Sequence, residues 1–268
     1  MKNILLLVHD DAGQEARLQA ALDVTRALDG HLQCLDVSML PAAVDGPYDG
    51  IGTAVLLQNE CAREYANKLA LEKRLEHEDV RWSWSDATGP VADCVRDAAA
   101  FADLIVLNRK LDSFPYPDMR DIAAEIIVKS GKPILAVPDE TRTFPVSGRA
   151  LIAWDGSRRT AAAVQAAIPL LKLASSVVLL EIDDGTIETP AEEAAAYLAK
   201  YDIHARVVRD FALSNPTRDI LLVGISVQRA DYLVMGAYSR ARTTEAIFGG
   251  CTRAMLTRSP VPIFLAHG

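Results

Sequence analysis

"ILLLVHDDAGQEARLQAAL" (4–22) and "ALIAWDGSRRTAAAVQAAI" (150–168) are two copies of one pattern. Each is a short apolar run, a polar turn, then apolar residues at helical spacing. At an offset of 146, Gln19 meets Gln165, Ala20 and Ala21 meet Ala166 and Ala167, and His9 meets Asp155. Further on, "FADLIVLN" (101–108) matches "RADYLVMG" (229–236), and "SGKPILAVP" (130–138) matches "SPVPIFLAH" (259–267). The order is the same in both halves and the gaps fall between elements, which is the signature of a duplication.

Outward from these anchors, each half alternates strands and helices. In the second, "SVVLLEI" (176–182) is a buried strand. Thr189-Pro190-Ala191-Glu192 then forms a capping box that opens a helix to about Tyr201. "HARVVRDF" alternates as a strand, and Asn215-Pro216 starts a helix to about Arg229. The first half has a charged helix from about Asn59 to Asp79 and another from Pro90 to Phe101. Five β runs separated by helices predict a parallel sheet covered on both faces. Right-handed crossovers make it doubly wound. The expected fold is therefore α/β, two tandem doubly wound domains over 1–140 and 148–268, joined by the polar link "DETRTFPVSGR" (139–149).

Composition narrows the function classes. The 268 residues are half apolar, enough for a sizeable core, and carry a formal net charge of −8. That charge argues against a nucleic-acid binder, which must neutralise phosphates, and against an anionic membrane surface as partner. No segment approaches the roughly 18–20 apolar residues that span a bilayer. "MKNILLLVHDD" is too short for a signal peptide and reads as a first strand, so a cytoplasmic protein is expected. Cys34, Cys61, Cys94 and Cys251 lack metal or disulfide spacing and read as free thiols. Cys251 stands out because a helix start favours a thiolate.

In open α/β sheets, ligands bind beyond the carboxyl ends of the strands, where the strand order reverses. That places "WDGS" (154–157), "EIDD" (181–184) and "MGAYS…FGGCT" (235–252) together. Loop amides and a helix N-terminus at Gly249-Gly250 suit an anion such as a phosphate, with Arg240 and Arg242 adding positive charge. The alternative is that a long connection simply needs glycines to turn. Asp155 and Asp183 would repel an anion unless Mg²⁺ lies between.

The duplicated layout, with "AWDGS", "ADYLVMGAYS", "FGGCTRAML" and "SPVPIFLA", resembles a tandem universal stress protein over essentially the whole chain. The resemblance implies an adenine nucleotide, ATP or AMP, held by a loop of Gly, two residues, Gly, nine residues, Gly and then Ser or Thr. Carried over, the first glycine is Gly236 and the third is Gly249. Ser239 stands at the second glycine and Gly250 at the hydroxyl position. Ser239 keeps a donor but resists a positive φ, and Thr252 offers a replacement hydroxyl. The implied nucleotide-binding set is Ala153, Trp154, Asp155, Ile182, Met235, Gly236, Ser239, Gly249, Gly250, Cys251 and Thr252, with Asp155 as the Mg²⁺ ligand. The resemblance also implies that the halves meet through their last strands, "KPILAVP" and "VPIFLA", as an internal pseudo-dimer, with a further homodimer open.

In the first half Asn108 replaces Gly236, "RKLDSFPYPDMRD" (109–121) lacks glycine, and His9 replaces the aspartate. This half reads as having lost the nucleotide site. Other candidates have plainer alternatives. Asp155 is equally a helix cap, and Trp154 is more readily core than an adenine platform. His9, Asp10 and Asp11 make an imaginable base or metal trio, but successive residues point apart. His31, His77, His204 and His267 have no partnering motif. "EKRLEHED" (72–79) reads as a solvated helix face, and "PAAVDGPYDGIG" (41–52) as a surface loop or a lid. No nucleophile elbow, phosphate-loop, zinc-protease or kinase motif occurs, so binding without turnover is expected. A nucleotide-binding regulator, a nucleotide-free scaffold and a slow nucleotide hydrolase are the three classes left, in that order.

Overall fold

The computed structural model describes residues 1–38, 49–108, 119–183, 185, 187–211, 216–237 and 250–268. The first half runs β1 (Asn3–Val8), α1 (Gln14–Ala27), β2 (His31–Ser38), α2 (Asp49–Leu75) and β3 (Arg81–Thr88). It continues through α3 (Val91–Ala98), a 3-10 turn (Ala99–Phe101), β4 (Leu104–Asn108), α4 (Met119–Ser130) and β5 (Ile134–Val137). The second repeats it with β6 (Arg149–Trp154), α5 (Arg158–Leu171), β7 (Ser176–Asp183), α6 (Ala191–Ala199) and β8 (Ala205–Phe211). It closes with α7 (Thr217–Val227), β9 (Tyr232–Gly236), α8 (Gly250–Arg258) and β10 (Ile263–Ala266).

The strands form one ten-stranded sheet in the order β3-β2-β1-β4-β5-β10-β9-β6-β7-β8. Every pairing is parallel except β5 with β10, which run antiparallel with Leu135 opposite Phe264 and Ile134 opposite Leu265. The halves thus meet through their last strands, as expected. All eight residues of β5 and β10 are at most 5 % exposed, so the seam is core rather than a wet interface.

Because side chains alternate across a strand, the sheet carries two cores, one per face. Ile4, Leu6, Leu135, Ile152, Val234 and Phe264 pack under α1, α2, α5 and α6. Leu5, Ile105, Ile134, Leu151, Met235 and Ile263 pack under α3, α4, α7 and α8. Each core crosses the seam, so packing unites the halves even though the sequence repeats. The link over 139–149 is less polar than its sequence suggests. Phe144 is buried against Tyr232, ring centroids 5.3 Å apart, and its backbone N–H donates to Asp23 Oδ2 at 2.8 Å.

Two local expectations are corrected and a third is met in part. Helix α2 starts at Asp49, ten residues before Asn59, so the end of the Gly/Pro-rich stretch 41–52 is helical. Anchored by buried Leu71 and Leu75, the helix gains a hydrogen bond per added residue, which offsets its glycines. The capping box at Thr189 does not form. The first helical N–H of α6, on Ala191, instead donates to Glu181 Oε2 from β7 at 2.6 Å, and Glu192 pairs with Arg209. A tertiary carboxylate has displaced the local cap. Helix α7 begins after Pro216, and Asn215 lies outside the described residues.

Candidate functional site

In each half the strand order reverses beside the first strand, between β1 and β4 and between β6 and β9. In the second half, Trp154 pairs with Glu181 and Ile152 with Val234. This register sets Ala153, Trp154, Asp155, Ile182, Met235 and Gly236 side by side at the carboxyl ends of three adjacent strands. Helix α8 starts at Gly250, with Cys251 half-buried and Thr252 buried. Ser239 and Gly249, with Arg240 and Arg242, fall in 238–249, outside the described residues, as do Asp184 and the first-half loop 109–118.

Several of these residues have structural duties. Asp155 Oδ1 accepts from the Ser157 N–H at 3.0 Å and from Thr160 Oγ1 at 2.5 Å, while Ser157 Oγ accepts from the Thr160 N–H. Asp155 therefore braces the turn into α5, whose N-cap is Ser157. Among the described residues, no three His, Cys, Asp or Glu side chains gather as metal ligands. Trp154 is 3 % exposed and its Nε1 donates to the Thr189 carbonyl at 2.8 Å, so its ring belongs to the core. Ile182 and Met235 are buried in the opposite core.

The glycines differ in kind. A Cβ on Gly236 would lie 2.8 Å from the Thr160 nitrogen, so α5 itself requires a glycine there. Gly156 combines φ of +71° with backbone atoms of residues 188 and 189 at about 3 Å from any Cβ. Around Gly250 a Cβ would meet nothing within 4 Å among the described residues, which leave out 238–249 just before it.

The carboxyl ends of the first half are filled from within. His9 is buried, and its Nδ1 lies 2.8 Å from Glu64 Oε1 on α2. Arg63 sits 3.4 Å from both Glu64 and His9 Nε2, and 3.9 Å from Asp10. Arg17, 1 % exposed, donates to the carbonyls of Leu7 and His9 and to both oxygens of Asp11. Within the trio, His9 faces Glu64 and Asp11 faces Arg17, while Arg63 lies near both His9 and Asp10. Gln14 and Asn67 exchange amide hydrogen bonds at 2.7 and 2.8 Å, and Lys68 reaches Asp86 at 2.6 Å.

Beneath these groups Asp36, on β2, is 5 % exposed. Burial, with the charges of Glu64 and Asp86, pushes its carboxyl up to about 7. Burial also pushes Glu64 upward, but the hydrogen bond and charge of His9, with Arg63, outweigh it and hold that carboxyl below its ordinary value. Sequence reading missed Asp36, Glu64 and Arg17. The available signals were an acid inside the apolar run "HLQCLDVS" and a basic residue between Ala16 and Leu18.

Among the described residues no helix is long and apolar enough to cross a membrane. No family model matches the sequence, and no curated protein matches it. Solved structures do. A universal stress protein from Archaeoglobus fulgidus DSM 4304 superposes with a TM-score of 0.75 at 16% identity, over 99% of this chain and 96% of that one. A functionally unknown protein from Pseudomonas aeruginosa PAO1 gives 0.61 at 18% identity, over 100% of this chain and 92% of that one. A protein provisionally described as a universal stress protein, from Pseudomonas aeruginosa UCBPP-PA14, gives 0.59 at 17% identity, over 100% and 93%. The chain has the universal stress protein fold, with two such units in tandem.

Proposed function

We propose that the chain is a cytoplasmic stress-response protein that binds an adenine nucleotide, ATP or AMP, beyond the carboxyl ends of β9, β6 and β7. The observation that carries this reading is the placement of α8. That helix follows β9, one of the two strands flanking the strand-order reversal, and a Cβ on Gly250 would meet no described residue within 4 Å. The first amides of a helix lack partners within it and carry the positive end of its dipole, so they favour a phosphate. Ala153 at the end of β6 and the backbone around Ile182 and Met235 are the available surface for a base. Asp155 fixes the intervening turn through Ser157 and Thr160. Mg²⁺ enters this reading as the counter-ion of the nucleotide, with Asp155 as its candidate side-chain ligand. We assign binding rather than turnover, because Asp155 is engaged with Ser157 and Thr160, and Glu181 in holding α6 and Arg209.

Thermal unfolding with millimolar Mg-ATP or Mg-AMP tests the reading. A ligand held only by the folded state stabilises it by about 2.7 kcal/mol at a hundredfold over Kd. Cys251→Trp, which crowds the start of α8, is expected to remove the shift. No shift in the wild type overturns the assignment. The nucleotide-free scaffold is favoured instead by one fact: packing and capping already account for Gly236, Trp154 and Asp155. A purified protein that carries no nucleotide by mass spectrometry and shows no shift would establish that second reading.

A further inference from the structure

Helix α2 has 27 residues and is about 40 Å long at 1.5 Å per residue, more than a strand of this sheet requires. Its last turns bury Leu71 and Leu75 in the core. Upstream, it crosses the carboxyl ends of β1, β2 and β3 on polar contacts: Glu64 to His9, Asn67 to Gln14 and Lys68 to Asp86. Asp36 lies under this crossing, and its buried Oδ1 has no hydrogen-bond partner among the described residues.

The groups around Asp36 are mostly acidic or already engaged. From β3, Asp86 stands directly across the pair, and like charges in that position repel. From α2 come Glu64 and Lys68, the latter bound to Asp86 and 5.5 Å above the Trp84 ring. His9 follows β1 and is paired with Glu64, next to Arg63. At the head of α1, Arg17 is bound to Asp11.

We propose that α2 is a strap over the first half whose closure is set by the protonation state of Asp36: closed when that carboxyl is neutral, loosened when it ionises. Neutral Asp36 adds no charge beside Glu64 and Asp86, so its burial costs least in that form. Ionised Asp36 becomes a third negative charge beside Glu64 and Asp86, and burial of Asp36 and Glu64 keeps water from screening that pair. The relief available to the structure is to lift Glu64, and α2 with it. With the carboxyl raised to about 7, this transition lies in the neutral range. Acid acts on a different group, Glu64, whose carboxyl the bond to His9 holds below its ordinary value. The inference concerns the first half and stands independently of nucleotide binding in the second.

Hydrogen exchange of α2 amides in the full-length chain, corrected for intrinsic exchange rates, is the direct test. The open population is expected to rise about tenfold between pH 6 and 8, reflecting one proton released on opening. Asp36→Asn is expected to flatten that dependence. A flat wild-type profile, or an unchanged slope in Asp36→Asn, overturns the proposal. A carboxyl carbon-13 titration of the wild type decides the matter without any variant: a midpoint for Asp36 near neutrality that coincides with opening supports the strap, and one below about 5 overturns it.

Discussion

At the end of β1 the chain places His9 and, eight residues on, the buried Arg17; at the end of β6 the matching positions are Asp155 and Ala163. One step along the sheet, Asp36 on β2 matches Glu181 on β7, since Val8 pairs with the first and Trp154 with the second. Glu181 accepts from Arg209 on the next strand and from the first N–H of α6. Asp36 has Asp86 on its next strand and Glu64 above it. The backbone path is the same, yet one half spends its polar groups on fixing a turn and leaves the mouth of the crevice to α8. The other fills the mouth with α2. The two halves share one frame, and a few charged residues decide that α2 lies across the strand ends of the first.

The largest effect expected from breaking this contrast comes from Arg17→Met. It strands Asp11 and two carbonyls that Arg17 serves while almost wholly buried, a loss of about 3–5 kcal/mol in urea unfolding. Ala163 in the second half makes no such contacts through its methyl group, so Ala163→Ser should cost far less.

Next in size is the pH dependence of Asp36. Its folded-state carboxyl sits above its unfolded value of about 3.9, so its contribution to stability is complete in acid and is lost as pH rises toward 7. The stability of the wild type minus that of Asp36→Asn should fall by about 1.4 kcal/mol per pH unit between roughly 5 and 7. Glu181→Gln is expected to show no comparable trend in that window.

Gly236→Ala sharpens the contrast with Asn108, its counterpart. Two backbone atoms of α5 lie within 3 Å of the added methyl, and about 1–3 kcal/mol of destabilisation is expected in thermal unfolding. Gly250→Ala has the smallest effect and the opposite sign. The site is open and begins a helix, so a gain of about 0.4–1 kcal/mol is expected.

Much of this architecture was legible in the sequence because strand and helix periodicity survive duplication. The repeat of "FADLIVLN" in "RADYLVMG" fixed β4 and β9, and "SGKPILAVP" with "SPVPIFLAH" marked the two seam strands. The gathering of Trp154, Asp155, Ile182, Met235 and Gly236 also followed, since topology alone brings strand ends together. Side-chain partnership was another matter. Glu64 belongs to a helix whose charges look solvated, and only the tertiary crossing of α2 brings it to His9. The box at Thr189 satisfied a local rule, but Glu181, remote in sequence, supplied the better acceptor. Phe144 was hidden in a polar stretch because the hole it fills is built from both halves. What local spacing cannot encode is which distant group arrives first at a shared donor.

The antiparallel seam has a consequence for assembly. By pairing β5 with β10 inside one chain, the protein consumes the two strands that would otherwise invite a neighbour's backbone. Among the described strands, only β3 and β8 remain at the flanks of the sheet, about 40–45 Å apart at 4.8 Å per strand. Exposed Arg81 and Asp86 guard one flank, and Arg206, Arg209 and Asp210 the other. Charges there discourage strand addition, so fusing the halves leaves a sheet that is finished at both ends.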